Sequence, residues 1–301
     1  MADRHKIGLD VGGTKIAAIM LNSSGKVIFE KRIASPRSNY QKTIRTIRDL
    51  ITELEYDLPR KSSVGIGIPG SISPHTSHVQ NANSTWLNGH ALADDLSTAL
   101  DRAIRIENDA NCFALSEALD GAGCDHRMVF GVILGTGCGG GLVFDKKLIT
   151  GPHAIGGEWG HNSLPWPRHE ELGAVACWCG KTDCIECWIS GTGLTADHLR
   201  HANENLDAKN IAAQAQDGHK PAQDTLNRFL SRLARSLAQM VNIIDPDAII
   251  LGGGLSNIDM IYEELPQIMQ PYIFADHFKP RILKPKFGDA SGARGAAHLW
   301  P

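Results

Sequence analysis

The sequence predicts an α/β protein, because short apolar strands run into glycine-rich turns and are separated by helical segments. Three strands show this pattern clearly, at residues 7–9, 128–134 and 248–251, and glycines follow each of them at 12–13, 135–141 and 252–254. In open α/β sheets, ligands bind at the carboxyl ends of the strands. We therefore expect the ligand-binding residues at these three turns.

The elements follow in a regular order along the first third of the chain. Apolar strands at 7–9 and 16–21 flank the segment Asp10-Val11-Gly12-Gly13-Thr14-Lys15, and residues 22–25 have the composition of a hairpin turn before a third strand at 27–33. Apolar residues recur every three or four positions between 40 and 54, which indicates one face of a helix. Strands at 64–68 and 103–106 and a helix at 110–119 are predicted next.

The strand, glycine turn and strand of the amino end occur a second time. The apolar segment 128–134 is followed by glycines across 135–141 and by the apolar residues 142–144. An internal duplication of a nucleotide-binding module explains this recurrence most simply. Farther on, an apolar helical stripe at 226–244 precedes the strand 248–251 and the third glycine turn.

Length and composition limit the class of protein. A chain of 301 residues with 42% hydrophobic residues can form two domains. Its formal net charge of -3 predicts no basic surface for nucleic acid. No apolar run approaches the roughly 18 residues of a membrane span, and the opening Met-Ala-Asp-Arg-His-Lys has no apolar signal sequence. We expect a cytoplasmic protein without nucleic-acid or membrane partners.

One cluster of residues has the spacing of a zinc site. His161 lies sixteen residues before Cys177, and Cys179 and Cys184 complete the pattern C-x-C-x4-C. Three thiols and an imidazole are a donor set that tetrahedral zinc takes. Disulfides or plain burial are the alternatives, although seven cysteines and a reducing compartment argue against disulfides. Cys187 follows too closely to join the same tetrahedron and is predicted to be a spectator.

Two further segments could bind phosphate or move a proton. Gly12 and Gly13 allow backbone N–H groups to approach phosphate oxygens, yet the segment is neither a P-loop nor a Rossmann fingerprint, and a lone Gly-Gly is usually a hairpin. A second threonine beside glycines, at Gly135-Thr136-Gly137, favours a phosphate site. Asp109 is either a helix N-cap or a general base, and its spacing leaves both open.

Taken in order, these motifs resemble the ROK family of sugar kinases and repressors. The resemblance rests on Asp10 to Lys15, Asn108-Asp109, Gly135-x-Gly137-x-Gly139, Gly157-Glu158-x-Gly160-His161 and the cysteine run ending at Glu186, and it extends to the tail at 291–297. Within the family, the segments 67–74, 81–89 and 108–112 are most similar to the bacterial fructokinases, also called manno(fructo)kinases.

The resemblance implies an actin-like, ribonuclease-H-like fold of two α/β domains that close over Mg-ATP and a hexose in an interdomain cleft. The small domain would span residues 1–111, with residues 289–301 folding back onto it. The large domain would span 112–288 and carry a structural zinc site. A homodimer is implied as well.

The same resemblance assigns roles to individual residues. Asp109 would be the general base that takes the proton from the 6-hydroxyl of the sugar, and Asp10 would hold magnesium. Sugar hydroxyls would be bound by Asn83, Asn108, Asp109, Glu158, His161 and Glu186. ATP would be bound by Asp10, Gly12, Gly13, Thr14, Lys15, Gly135, Thr136, Gly137, Cys138, Gly139, Gly253 and Gly254. Most family members have glycine where this chain has Asp183, and aspartate tolerates a positive φ well.

The implied reaction is the phosphorylation of D-fructose to fructose 6-phosphate with ATP as donor. An N-acetylglucosamine kinase or a glucose or mannose kinase of the same family is the alternative. A sugar-sensing repressor is disfavoured, because six residues before Ile7 are too few for a helix-turn-helix domain. A non-catalytic scaffold is disfavoured because Asp10, Asp109 and both glycine turns are present.

Overall fold

A computed structural model describes residues 5–301 and divides them into two compact units. The first unit comprises residues up to Gly121, Lys146–Gly156 and Lys286–Pro301; the second comprises Ala122–Asp145 and Gly157–Pro285. Residues 1–4, which the predicted small domain includes, lie outside the described residues. The predicted boundary at 111/112 falls inside a helix, and the first unit continues to the end of that helix.

Strands and helices are numbered in chain order. The strands are β1 Lys6–Val11, β2 Lys15–Leu21, β3 Val27–Ala34, β4 Ser63–Ile68, β5 Ser71–Ile72, β6 Val79–Gln80, β7 Arg105–Asn108, β8 Met128–Leu134, β9 Cys138–Phe144, β10 Lys147–Leu148, β11 Ala248–Gly252 and β12 Ile282–Leu283. The α-helices are α1 Tyr40–Leu54, α2 Leu92–Leu100, α3 Asp109–Leu119, α4 Glu186–Ile189, α5 Gly191–Ala202, α6 Ala208–Gln216, α7 Lys220–Ile244, α8 Asp259–Met269 and α9 Ser291–Ala297.

The sheet of the first unit has the strand order β3-β2-β1-β4-β7. Strands β1, β2 and β3 pair antiparallel as the predicted hairpins, whereas β4 runs parallel to both β1 and β7. Asp10 pairs with Gly67, and Ile68 pairs with Asn108. The register therefore brings Asp10 and Asn108 to the same edge of the sheet, at the carboxyl ends of parallel strands.

Helix α1 has the bounds that its apolar spacing predicts. Its buried face includes Ile44, Ile47 and Ile51, and the side chain of Asn39 begins the helix by accepting a hydrogen bond from the backbone N–H of Lys42. An asparagine in this position satisfies one of the N–H groups that a helix start leaves unpaired. Local sequence and tertiary burial agree here, which is why the prediction is confirmed.

The carboxyl-terminal helix α9 packs directly on the sheet of the first unit. A Cβ atom built on Gly8 would lie 1.9 Å from the carbonyl oxygen of Ala293, and one built on Gly65 would lie 1.9 Å from that of Ala296. These distances are far inside van der Waals contact, so only glycine allows the helix to approach β1 and β4 so closely.

The second unit repeats this strand arrangement with the order β9-β8-β11-β12. Strand β8 pairs antiparallel with β9 and parallel with β11, as β1 pairs with β2 and β4. The long helix α7 contributes Phe229, Leu233 and Leu237 to the core behind this sheet. The matching topology agrees with the internal duplication that the sequence predicts.

The second glycine-rich segment is shorter as a turn than its composition predicts. Residues 138–141 form part of β9, and only 135–137 make the turn, because Leu134 already pairs with Cys138. The strand glycines serve packing: a Cβ atom on Gly140 would lie 2.7 Å from the indole of Trp159. Cys138 and Gly139, which the sequence pattern places in the turn, therefore lie in the strand.

Within residues 5–301, no helix combines the length and the apolar character that crossing a membrane requires.

Candidate active site

Three carboxylates gather at the strand ends of the first unit. Burial raises the pKa of the Cys112 thiol well above its usual range, and the negative charges of Glu107, Asp10 and Asp109 raise it further. Asp109, the predicted general base, and Asp10, the predicted magnesium ligand, thus lie close to one thiol at one edge of the sheet. Such a concentration of negative charge suits a site that binds a divalent cation.

Asp10 has the environment of a cation ligand. Burial raises the pKa of its carboxyl group to about 6, although the ammonium group of Lys15 opposes the rise. Gly292 of α9 leaves room for it, since a Cβ atom there would lie 2.8 Å from Asp10 Oδ2. A carboxylate that burial destabilises gains most from a bound cation, and the oxygen donor fits magnesium.

The turn between β1 and β2 presents backbone groups beside Asp10. The N–H of Gly12 donates to the carbonyl oxygen of Lys15 at 3.0 Å, and the N–H of Ser35 donates to that of Thr14 at 3.0 Å. The Lys15 ammonium reaches Asp289 at 3.3 Å, and both side chains are exposed. An exposed ion pair of this kind contributes little to stability, so the ammonium remains available for a phosphate.

The structure decides one of the two alternatives that the sequence left open for Asp109, because another residue caps the helix. Asn108 is the N-cap of α3: its Oδ1 accepts from the N–H groups of Ala110 and Asn111 at 2.9 and 3.1 Å. Asp109 is the first residue of the helix, and its Oδ1 accepts from the N–H of Ala110 at 2.7 Å. The helix start thus fixes the orientation of the Asp109 carboxylate and stabilises its negative charge.

Asn83 lies exposed in a braced loop that follows β6. The Asn88 side chain holds this loop closed, because its Oδ1 accepts from Ala82 N and its Nδ2 donates to Ala82 O, both at 2.9 Å. The next residue, Ser84, is buried, and Asn83 itself faces solvent. The loop therefore presents the Asn83 amide on a rigid support.

The turn 135–137 of the second unit rests on the start of α5. The N–H of Gly135 donates to the carbonyl oxygen of Gly137 at 3.0 Å. Gly191 N donates to Gly135 O at 2.7 Å, and the Thr192 hydroxyl donates to Thr136 O at 2.8 Å. The turn is thereby held in one conformation by the helix.

A cavity of about 1160 Å³ opens beside this turn. Of the residues predicted to bind the nucleotide, Gly135, Thr136 and Gly254 line this cavity. Gly253 is not part of the lining; its φ is +82°, and a Cβ atom built on it would lie 2.5 Å from the carbonyl oxygen of Leu134. The motifs missed most of the lining, which comes from α5, α6 and the segment after β11: Thr192, Thr195, Ala196, Leu199, Asp207, Ala208, Lys209, Ala212, Ala213, Gln216, Asn257 and Ile258. The run Ser190-Gly191-Thr192-Gly193 at a helix start was the available signal.

Three predicted sugar ligands of the second unit influence one another. Loss of hydration raises the pKa of Glu158 even though its side chain keeps contact with solvent; the His161 imidazole opposes this rise and the Glu186 carboxylate adds to it. Glu186 has two further contacts, which the sequence did not suggest. Its Oε2 accepts from the backbone N–H of Cys138 at 2.9 Å, and its Oε1 accepts from the Trp178 indole N–H at 2.7 Å.

The predicted zinc ligands come together in the second unit. The donor atoms of His161, Cys177, Cys179 and Cys184 all lie within 4.8 Å of one another, and this is the one such group among residues 5–301. His161 Nδ1 is 3.6 Å from Cys177 Sγ, and Cys179 Sγ is 3.6 Å from Cys184 Sγ. Sulfur atoms at this spacing fit around a tetrahedral zinc ion with Zn–S bonds of about 2.3 Å.

The Cys184 thiol of this cluster holds its proton when no metal is bound. Burial and the neighbouring thiols of Cys179 and Cys177 raise the pKa of Cys184 to about 12. Binding of a divalent cation would therefore release protons from the site. Cys187 stays outside the four-residue group, and its thiol lies 4.0 Å from the carbonyl oxygen of Ala176.

Asp183 adopts the conformation that its position in the family pattern predicts. Its φ is +55°, in the left-handed region that favours glycine. Its carboxylate also accepts hydrogen bonds from the backbone N–H groups of Gly173, Ala174 and Val175. The aspartate thus replaces a glycine and at the same time anchors the chain segment that leads into Cys177.

Arginines of α7 anchor the loop between His161 and the cysteines. Arg232 Nε donates to Glu171 Oε1 at 2.8 Å, and Arg232 Nη1 donates to Asp197 Oδ1 at 2.8 Å. Arg235 Nη1 donates to the carbonyl oxygen of Trp166 at 2.7 Å. Burial alone would raise the pKa values of Glu171 and Asp197, but hydrogen bonds and the arginine charges hold them below their usual range.

Comparison with known proteins shows the family and the fold of this chain. The protein-family model described as "ROK family" matches residues 6–301 of this chain. An N-acetyl-D-glucosamine kinase from Yersinia enterocolitica is 40% identical over 296 residues, which cover 97% of this chain and 98% of that protein. A ROK hexokinase from Thermus thermophilus superimposes with a TM-score of 0.85 at 26% identity, covering 97% of this chain and 96% of the other.

A ROK family glucokinase from Streptomyces griseus, solved with glucose and AMPPNP, superimposes with a TM-score of 0.80 at 25% identity. The alignment covers 98% of each chain. These neighbours confirm the predicted α/β fold of the actin-like, two-domain kind.

Proposed function

This chain belongs to the ROK family, and from that premise we propose that it is an ATP-dependent hexose kinase whose first candidate acceptor is N-acetyl-D-glucosamine. The observation that carries the phosphotransfer reaction is the placement of Asp109 beside Asp10 at one sheet edge, with its carboxylate oriented by a helix start. The 40% identity to N-acetyl-D-glucosamine kinases over 296 residues supports N-acetyl-D-glucosamine as the acceptor.

Asp109 is the general base of the proposed reaction. It accepts the proton of the acceptor's 6-hydroxyl as the oxygen attacks the terminal phosphorus of ATP. The cap formed by Asn108 and the bond from Ala110 N hold the carboxylate in place, so little reorganisation is needed in the transition state. Asn108 has a second role in the proposal, which is to hydrogen-bond a sugar hydroxyl through its amide.

Asp10 and the first turn handle the phosphates. Asp10 would hold magnesium, which neutralises charge on the phosphate oxygens when it is bound. The backbone of Gly12, Gly13 and Thr14 and the Lys15 ammonium would contact the phosphates. In the second unit, the cavity beside Gly135 and Thr136 has walls suited to the nucleoside, with apolar area from α5 and α6.

Glu158, His161 and Glu186 are proposed to bind sugar hydroxyls, together with Asn83 of the first unit. Carboxylate and imidazole groups on a short rigid segment can grip neighbouring hydroxyls with fixed geometry. His161 would ligate zinc through Nδ1, the nitrogen that faces Cys177, and would present Nε2 to the sugar. A structural zinc ion would therefore fix the position of one sugar ligand.

D-fructose is the second candidate acceptor. The segments 67–74, 81–89 and 108–112, which resemble fructokinases, support it, and the second of these contains Asn83. The two candidates differ at carbons 1 and 2: N-acetylglucosamine has its anomeric centre at carbon 1 and an acetamido group at carbon 2, whereas fructose has a hydroxymethyl group at carbon 1 and its anomeric centre at carbon 2. A protein that uses both would bind mainly through the hydroxyls that they share.

A coupled assay of ADP release tests the proposal. Purified protein with Mg-ATP is supplied separately with N-acetylglucosamine, fructose, mannose and glucose, and kcat/KM is compared. The highest value for N-acetylglucosamine supports the first acceptor, and the highest value for fructose replaces it with the second. An absence of hexose-dependent ADP release with all four sugars would refute the kinase proposal.

A further inference from the structure

Ser84 is a buried side chain that lacks a partner. It is 2% exposed, and its hydroxyl has no hydrogen-bond partner within residues 5–301. Burying a hydroxyl without a partner lowers folding stability, so such a hydroxyl is a candidate for a partner in another state of the protein. Its position directly after Asn83, in the loop proposed to hold the acceptor, suggests which state that is.

The hydroxyl faces the first phosphate turn. A Cβ atom built on Gly13 would lie 3.2 Å from Ser84 Oγ and 4.0 Å from Cη2 of Trp86. The Trp86 indole N–H is also buried and unpartnered within the described chain. Ser84 thus brings an unused hydroxyl from the acceptor loop against one glycine of the turn, and Trp86 places a ring carbon beside it.

A third unpartnered group lies on another side of the same turn. Ser35 donates its backbone N–H to Thr14 O, yet its own hydroxyl is buried and has no partner among residues 5–301. Two residues next to the turn 12–15, Ser35 and Ser84, therefore have buried hydroxyls without a partner. Because Asn88 braces the loop of Ser84 through two hydrogen bonds, the turn is the element whose movement would satisfy these groups.

We propose that Ser84 is a positioning residue whose hydroxyl hydrogen-bonds the Gly12–Gly13 backbone when phosphates occupy the turn. This contact links the loop that carries Asn83 to the turn that contacts ATP, so each substrate strengthens binding of the other. Thermodynamic linkage requires the effect to be reciprocal. The inference rests on the proposed function, since it assumes that the turn binds a nucleotide and the loop binds a hexose.

The test measures coupling between the two ligands. The dissociation constant of AMPPNP with Mg²⁺ is measured by calorimetry with and without a saturating hexose, chosen as the best acceptor in the turnover assay. We expect the hexose to tighten nucleotide binding in the wild-type protein and the Ser84→Ala change to reduce that factor at least threefold. The thermal midpoint of the ligand-free variant should be equal to or higher than that of the wild type, because the removed hydroxyl has no partner there.

Ser62→Ala is the matched control. Ser62 is also a buried serine with an unpartnered hydroxyl, but it immediately precedes β4, at the opposite end of that strand from Gly67. The Ser62→Ala change should leave unchanged the factor by which the hexose tightens nucleotide binding. The Ser84 proposal is overturned if the wild type shows no coupling, if Ser84→Ala retains it, or if Ser84→Ala lowers the ligand-free midpoint. Normal wild-type turnover with any of these results leaves the kinase proposal intact.

Discussion

Replacing Asp183 tests how one residue supports the metal loop, by which we mean residues 161–184 with the four proposed zinc ligands. In the structure it combines a φ of +55° with three hydrogen bonds from the backbone N–H groups of residues 173–175. The three variants Asp183→Ala, Asp183→Gly and Asp183→Asn separate these two contributions. Alanine loses the hydrogen bonds and strains the backbone, glycine loses only the bonds, and asparagine keeps one acceptor oxygen and tolerates the conformation.

The expected loss of folding free energy in each variant follows from the same contacts. Asp183 is half-buried, so each bond to its carboxylate is taken as about 1 kcal/mol, below the range for a fully buried charged acceptor. Three bonds then amount to about 3 kcal/mol, and a positive φ adds about 1 kcal/mol for alanine. We expect a loss of about 4 kcal/mol for alanine, about 2 to 3 for glycine and about 1 to 2 for asparagine.

Urea unfolding of the zinc-loaded protein measures these losses, and a chromogenic zinc indicator measures metal release in parallel. Lys181→Arg is a suitable control, because this exposed side chain lies in the same loop, its backbone carbonyl accepts from Cys177 N, and arginine keeps both the backbone hydrogen bond and the positive charge that lower the pKa of Cys179. A glycine variant as stable as the wild type would show that the three bonds contribute nothing. Equal stabilities of the alanine and glycine variants would show that the positive φ at residue 183 does not destabilise alanine.

Three further outcomes are expected. Asp109→Asn should lower kcat by roughly 10² to 10⁴ while AMPPNP still binds, because the base is lost and the fold is kept; coupled kinetics and calorimetry check this. Chelation of the metal should lower the thermal midpoint, and added zinc should restore it, as followed by circular dichroism; an unchanged midpoint contradicts a structural metal. Because the pKa values of Glu171 and Asp197 are lowered in the folded state, the stability they confer is present above about pH 5 and is lost as pH falls below about 4. Urea unfolding between about pH 3 and 7 measures this loss, and Glu171→Gln should flatten the curve.

The elements that the sequence predicted best are those whose signals are local. Helix α1 has the bounds that its sequence predicts, because an amphipathic stripe and the cap at Asn39 both depend on residues close in the chain. The spacing of the four metal-site residues predicts their cluster, and the structure brings them together. The backbone of Asp183 was predictable as well, because tolerance of a positive φ is a property of one residue and its type.

Glycines were misread where packing, not turn formation, requires them. Gly140 resembles a turn residue in sequence, but it lies in β9, where it leaves space for Trp159. The lining of the cavity beside Gly135 and Thr136 was largely missed for a related reason. Its lining from α5 and α6 consists of ordinary helical residues such as Ala212 and Gln216, and only tertiary structure brings them to one place.

The link between Glu186 and the second glycine turn limits how this protein can vary. The carboxylate that accepts from the Trp178 indole in the metal loop also accepts from the backbone N–H of Cys138. Since every residue except proline has a backbone N–H, position 138 can change its side chain without breaking the link. Position 186 has no such freedom, because both hydrogen bonds are accepted by the side-chain carboxylate, and only glutamate has a carboxylate at that distance from the backbone. Related sequences should therefore exclude proline at 138 and keep glutamate at 186 whenever they keep the metal loop.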